Sequence, residues 1–259
     1  MLGAIAGDII GSVYEFLPTK SADFPLFVSD SRFTDDTVLT VAVADCLLNR
    51  AGYIDKFHEY TLAYPHRAYG LGFYNWVHSG SREPYFSWGN GSAMRVSPVA
   101  YAFETLEKAL HEAKASAEVT HNHPEGIRGA IAVTMAIFMA RRGESKDEIR
   151  RAIHDQVGYD LGRTVAAIRE TYKFNESCQG TVPEAITAFL DSTDYEDAIR
   201  LAISLGGDSD TLACITGGIA AAFYGGVPSH IGAPALALLD DRLRNIVEQF
   251  CSCYGIPIP

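Results

Sequence analysis

Apolar residues recur at intervals of three and four along almost the whole chain, and strand-like alternation is nearly absent. Side chains with that period form one apolar stripe per helix, so the chain can bury a core only by stacking helices on one another. The pattern predicts an all-α fold, with helices near 3–16, 35–49, 55–62, 70–79, 92–102, 104–117, 125–142, 146–155, 161–172, 183–190, 195–204, 209–224 and 231–253. Pro65, Pro84, Pro124, Pro183 and Pro228 open or interrupt these segments, and Gly52, Gly80, Gly143 and Gly225-Gly226 fit helix ends. No fixed-period repeat, low-complexity tract or long Ser, Gly or Pro linker divides the chain. With 259 residues, 47% of them apolar, a single compact multi-helix domain over residues 1–259 is expected.

Net charge is −11, from 32 acidic residues against 21 Lys and Arg, and no basic run exceeds Arg141-Arg142 or Arg150-Arg151. No broad electropositive face follows, so no nucleic-acid partner is expected. Cys46, Cys178, Cys214, Cys251 and Cys253 are an odd set without paired spacing, which points to reduced thiols and a cytoplasmic location. The apolar first ten residues lack a basic start and contain Asp8, unlike a signal sequence. No apolar run has membrane-spanning length, so no membrane partner is expected, and the chain reads as a monomer.

Carboxylates are densest in two stretches about 170 residues apart, Thr34-Asp35-Asp36-Thr37 and Gly206-Gly207-Asp208-Ser209-Asp210-Thr211. Each sets two aspartates beside threonine hydroxyls where an apolar helical pattern begins. These are hard oxygen donors on short side chains, a set that suits magnesium or manganese and not zinc. Thr34 also fits as a helix cap with Asp35 and Asp36 in the first turn, so the tetrad alone is no more than a good helix start. On the first helix, Asp8, Ser12 and Glu15 would share a narrow polar stripe beside a Gly3, Gly7, Gly11 ridge that lets another helix approach closely. Burying such carboxylates is costly without a partner, which a metal or ligand would supply; capping of neighbouring helices or exposure to solvent would also resolve it.

The turn Gly89-Asn90-Gly91-Ser92-Ala93-Met94-Arg95 enters a helix and could present backbone amides to a phosphate, or serve as an ordinary helix entry. Thr120-His121-Asn122-His123-Pro124-Glu125 offers two imidazoles before a helix but no cysteine or third histidine for zinc. Residues 17–33, the longest nonhelical stretch, read either as a binding loop or lid or as an inert surface connection. Tyr69, Phe73, Tyr74 and Trp76 cluster before the glycine turn, where an aromatic could stack on a base, although helical spacing favours core.

Taken together, Gly7-Asp8-Ile9-Ile10-Gly11-Ser12-Val13-Tyr14-Glu15, Phe33-Thr34-Asp35-Asp36-Thr37, the Gly89–Arg95 turn, Thr120-His121 and Leu205-Gly206-Gly207-Asp208-Ser209-Asp210-Thr211 resemble the ADP-ribosylglycohydrolase family. The motifs match in order along nearly the whole chain, most closely in the style of short bacterial members related to dinitrogenase-reductase-activating glycohydrolase. The resemblance implies an all-α domain holding two Mg2+ or Mn2+ ions at the floor of an ADP-ribose cleft. It implies Thr34, Asp35, Asp36, Asp208, Asp210 and Thr211 as metal ligands, and Gly89, Asn90, Gly91, Ser92 and His121 along the diphosphate and ribose. Glu15 and Asp35 become the candidate catalytic groups, while Asp8 is expected to be structural. Short relatives also carry cleft-edge loops at Asp160–Thr164 and Cys178–Pro183. The implied partner is an ADP-ribosylated protein or a small ADP-ribosyl conjugate, cleaved at its glycosidic bond. Two other readings stay open, a dinuclear-metal nucleotide phosphoesterase and a catalytically inert ADP-ribose-binding relative.

Overall fold

Three glycines at spacing four decide how the chain closes. In the computed structural model, which describes residues 1–258, a Cβ placed on Gly3 would lie 2.2 Å from the Gly217 carbonyl oxygen. One on Gly7 would lie 2.0 Å from that of Ala213, and one on Gly11 2.5 Å from that of Ser209. As one set of numbers rises the other falls, so the two helices run antiparallel with their backbones in contact. That pairing puts the C-terminal end of the first helix beside the N-terminal end of the helix that opens at Ser209.

The chain forms α1 (Leu2–Gly11), α2 (Asp35–Asn49), α3 (Tyr53–Ala63), α4 (Leu71–His78) and α5 (Gly91–Met94). These are followed by α6 (Val99–Ala102), α7 (Leu106–Glu118), α8 (Pro124–Arg141), α9 (Lys146–Ala152) and α10 (Val165–Arg169). The remainder comprises α11 (Cys178–Asp191), α12 (Tyr195–Ile203), α13 (Ser209–Phe223), α14 (Ser229–Ala237) and α15 (Asp241–Cys253). No strand occurs among the described residues, which bears out the all-α expectation and places the chain in one compact unit. Every residue of α1 is buried, and α13 is surrounded by α1, α8, α11 and α12. On the outside, α15 covers α2 and α7 covers α8.

Local chemistry moves several helix ends from where periodicity put them. The first helix stops at Gly11, not at residue 16: the Ser12 hydroxyl bonds back to the Ile9 carbonyl at 2.9 Å and accepts the Arg32 amide, and a turn follows. Glu15 therefore leaves that turn and does not share a helix stripe with Asp8. The 92–102 segment splits because Pro98 has no N–H and crowds the carbonyl four residues back. The 231–253 segment splits at Asp240, whose extended backbone and side chain cap Leu243. The helix expected from 183 starts at Cys178, capped by Ser177, with Pro183 inside it. The helix expected over 161–172 shrinks to Val165–Arg169 behind a Thr164 cap.

Candidate active site

Asp8 organises the first acidic motif without belonging to its open face. Its carboxylate accepts the Thr34 amide at 3.0 Å, the Thr34 hydroxyl at 2.6 Å, the Thr37 amide at 3.1 Å and the Thr37 hydroxyl. Burial pushes this carboxyl up in pKa, and those four donors pull it back. Asp8 thus fixes the start of α2 against α1, in accord with its expected structural place. Thr34 caps α2 through its own hydroxyl, which accepts from the Asp36 amide at 3.3 Å, and the Arg67 carbonyl receives the Asp35 amide at 2.7 Å. Asp35 and Asp36 are left free of capping duty and lie on the cleft wall.

The second motif is shaped by Gly206 and Gly207, at φ +71° and +89°, a backbone that L side chains adopt only under strain. They turn the chain so that Asp208 stands at the N-cap of α13 without capping it. Its carboxylate accepts instead from the Asn90 side-chain amide at 2.7 Å. Thr211 donates to the Asp36 carboxylate at 3.3 Å across 175 positions of sequence, so the two motifs meet.

Glu15, Asp35, Asp36, Asp208, Asp210 and Thr211 line one cleft of about 290 Å³ with Gly89, Asn90, Gly91 and His121. Thr34 lies behind the wall, bonded to Asp8. Ser92 does not line the cleft either: it is fully buried and donates to the Gly126 carbonyl at 2.7 Å. Residues 17–33 contribute nothing to the cleft, contrary to the reading as a lid. The segment is pinned elsewhere, with Arg200 donating to the carbonyls of Ala22 and Phe24, and Lys20 to those of Leu205 and Tyr172. Lys20 therefore braces the turn that carries Asp208.

Met94 and Arg95 of the glycine turn line the cleft too, and the walls the sequence did not announce come from Ala68, Gly70, Leu71, Gly72, Tyr85, Ser87, Phe174 and Glu176. Glu176 is drawn in because its carbonyl accepts the Asn90 amide at 2.7 Å, while the Cys178 amide bonds Trp88 at 2.9 Å. Beside the cleft is an open groove of about 630 Å³ bearing the exposed rings of Phe86, Trp88 and Phe174. Of the earlier aromatic cluster, only Phe73 reaches the cleft; Trp76 is core and Tyr74 stacks on His78 at the surface. Asp160–Thr164 does not touch the cleft, and Cys178–Pro183 is helix. Trp88 stands directly before Gly89 in sequence, a signal that would have found it.

Burial and then Asp210 push Glu15 up to about 7, while burial brings Asp208 to about 6. Burial followed by Asp210 raises Asp35 and Asp36 well above the ordinary carboxylate range, and burial followed by Asp208 does the same to Asp210. Arg32 offsets part of this at Glu15. Glu15 Oε2 and Asp36 Oδ1 are buried without a hydrogen-bond partner. Five carboxylates held together in this way lack positive charge, and two divalent ions would bring them near neutrality. Among the described residues no three His, Cys, Asp or Glu side chains already surround one point. Magnesium keeps several waters and takes one or two carboxylates, so a closed cage is not needed, and the donor set fits.

All five cysteines are unpaired, and no helix among the described residues is long and apolar enough to cross a membrane. The chain is 27% identical to the ADP-ribosylhydrolase ARH3 of Mus musculus, over 87% of this chain and 82% of that one. It is 25% identical to the ADP-ribosylarginine hydrolase Tri1 of Pseudomonas putida, over 98% and 80%. A solved ADP-ribosylglycohydrolase-related protein complex shares the fold, with a TM-score of 0.73, 24% identity and coverage of 98% and 96%. The sequence pattern of the ADP-ribosylglycohydrolase family matches residues 1–254, and the chain belongs to that family of enzymes.

Proposed function

We propose that this enzyme hydrolyses the glycosidic bond joining ADP-ribose to an acceptor, in a cleft that requires two divalent cations. The observation that carries the reading is the meeting of the two acidic motifs in one cleft, with buried carboxylate oxygens that no protein donor satisfies. Asp35, Asp36, Asp208, Asp210 and Thr211 would hold Mg2+ or Mn2+, with Thr34 behind them. Bound there, the ions would supply Lewis-acid charge and an anchor for the ribose hydroxyls.

The chain's own groups do the rest. Gly91 and His121 line the cleft where a diphosphate would need donors, the Gly89 and Asn90 amides being spent on the Ser87 hydroxyl and the Glu176 carbonyl. Phe86, Trp88 and Phe174 present open ring faces on which a base can stack. Glu15 sits at the same cleft, half-buried, where a carboxyl can exchange protons near neutrality. Glycosidic cleavage proceeds through an oxocarbenium-like state, and a carboxylate that takes a proton from the attacking water assists it. Asp35, partly open to the cleft, is the second candidate for that proton. Glu15 and Glu176 make the mouth acidic, which favours a cationic acceptor such as a modified arginine side chain over an acidic one.

The test is a panel of ADP-ribosylated acceptors (arginine, serine, nucleobase and small-metabolite conjugates) assayed with Mg2+, with Mn2+ and with chelator. Free ADP-ribose should appear only with metal. Release of inorganic phosphate with the glycosidic bond intact would replace the reading by a phosphoesterase; tight ADP-ribose binding without any product would replace it by an inert binder. Glu15→Gln and Asp35→Asn should each lose a hundredfold or more of turnover if that carboxylate moves the proton.

A further inference from the structure

Arg95 is the one charged side chain among the largest fully buried residues, and no carboxylate pairs with it among the described residues. Its guanidinium lies 4.2 Å from the centre of the Phe57 ring, and Nη2 donates to the Ser116 carbonyl and to the Thr120 hydroxyl, each at 2.9 Å. Nε and Nη1 are buried with no partner, and the side chain borders the cleft. A guanidinium can only donate, so the Thr120 oxygen is an acceptor in that bond. Thr120 is itself fully buried, and its hydroxyl proton has one acceptor within reach, Nδ1 of His121 at 2.8 Å. An unprotonated Nδ1 gives that proton its acceptor and places the ring proton on Nε2, whereas a protonated Nδ1 would make the Thr120 oxygen accept twice and leave its buried hydroxyl proton without a partner.

Nε2 is aimed at the glycine turn. A Cβ on Gly91 would lie 3.0 Å from it, and one on Gly89 3.6 Å. No protein atom among the described residues bonds it, although Nδ1 is engaged. The nitrogen is therefore presented between two residues that have no side chain to cover it, at the place where the functional reading puts the substrate's diphosphate.

We propose that Arg95 and Thr120 are positioning residues that act through His121, fixing its imidazole as a neutral Nε2–H donor to the diphosphate of the bound substrate. The chain of donors runs from guanidinium to hydroxyl to ring to ligand, the one order that leaves no buried hydroxyl proton without an acceptor. Burial and the neighbouring guanidinium hold the His121 pKa well below the ordinary imidazole range, consistent with a ring that stays neutral. The unpaired guanidinium also leaves net positive charge behind the glycine turn, which complements an anion entering an otherwise acidic cleft. The inference rests on the ADP-ribose reading for the identity of the anion, but not for the state of the ring.

The experiment joins a spectroscopic readout to a binding one. Long-range proton–nitrogen correlation on full-length protein labelled in histidine, assigned with a His121→Gln variant, reports which ring nitrogen is protonated. Calorimetry with ADP-ribose measures affinity. Wild-type His121 should be in the Nε2–H form at neutral pH. Thr120→Val should scramble the tautomer and weaken ADP-ribose about tenfold, the worth of one hydrogen bond to a charged group. Thr120→Ser, which keeps the hydroxyl, should restore both to within about twofold of wild type. A wild-type ring protonated at Nδ1, or a Thr120→Val protein with unchanged tautomer and affinity, would overturn the proposal. If Thr120→Val fails to fold, the wild-type spectrum and Thr120→Ser decide the matter. Wild-type protein that does not bind ADP-ribose would instead sink the functional reading, and with it the diphosphate as the donor's target, while the ring measurement stands on its own.

Discussion

Replacing Gly7 by alanine should separate two helices on which both the core and the site depend. A Cβ at that position would lie 2.0 Å from the Ala213 carbonyl oxygen and 2.5 Å from its carbon, where real contacts stay above 3.0 Å. Both atoms are backbone, so no rotamer change relieves the clash, and α1 and α13 must move apart by about the missing ångström. All ten residues of α1 are buried, so the shift loosens contacts along the whole interface. Overpacking of this kind costs about 1–3 kcal/mol or more, and the better helix propensity of alanine returns about 1. Since the obstruction is backbone, the upper end applies and a net loss of about 2 kcal/mol is expected, or a fall in Tm of about 4–8 °C for a chain of this size. The control is Gly70→Ala, where a Cβ meets nothing within 4 Å and Tm should stay within about 2 °C. Thermal unfolding should be followed with chelator and with Mn2+. The displaced α1 carries Asp8 and, through it, Thr34 and Thr37, so the variant should also gain less from the ion than the wild type. Gly7→Ala protein that melts with the wild type and gains the same increment from Mn2+ would refute the close-packed arrangement.

Without cations, Asp208 at about 6 and Glu15 at about 7 are both raised, so stability is full below pH 4 and is lost as pH rises through 6 to 7. A series of melting curves in chelator from pH 5 to 8 should fall, and Mg2+ should recover more at pH 8 than at pH 5; a flat series would contradict the charge balance. The shift at buried Asp208 alone corresponds to about 3 kcal/mol, and the half-buried Glu15 to less because water screens it. Asp8→Asn should cost about 2–4 kcal/mol in denaturant unfolding, since an amide cannot accept from two backbone N–H groups and two hydroxyls at once. Lys20→Met removes the bonds to the Leu205 and Tyr172 carbonyls and should weaken Mn2+ severalfold by calorimetry, with Tm changed by only a few degrees. Unaltered affinity would show that the Gly206-Gly207 turn holds Asp208 without help.

The helical class was legible because a period near 3.6 is a local property that each segment carries for itself, and the glycine ridge was legible because spacing four names a face as well as a residue. Where the readings slipped, the deciding contact was distant in sequence or competed locally. Ser12 ends α1 partly through Arg32, and Ser177 begins α11 ahead of the more conspicuous Pro183. The acidic motifs could be recognised as donors, but their convergence depends on α1 serving two partners at once: its glycines admit α13, and its Asp8 holds α2. The loop at 17–33 looked like a lid because it is long and nonhelical. Its lysine and its carbonyls are spent on α12, Arg200 and the Gly206 turn, a use that composition does not distinguish from covering a ligand. Segment 174–176 was missed for the opposite reason: it is held at the cleft through the Glu176 backbone carbonyl, which every residue type possesses, so nothing in its sequence marks that Phe174 and Glu176 line the site. A site assembled from side chains can be read in a sequence; the backbone bonds that bring its walls together must be seen folded.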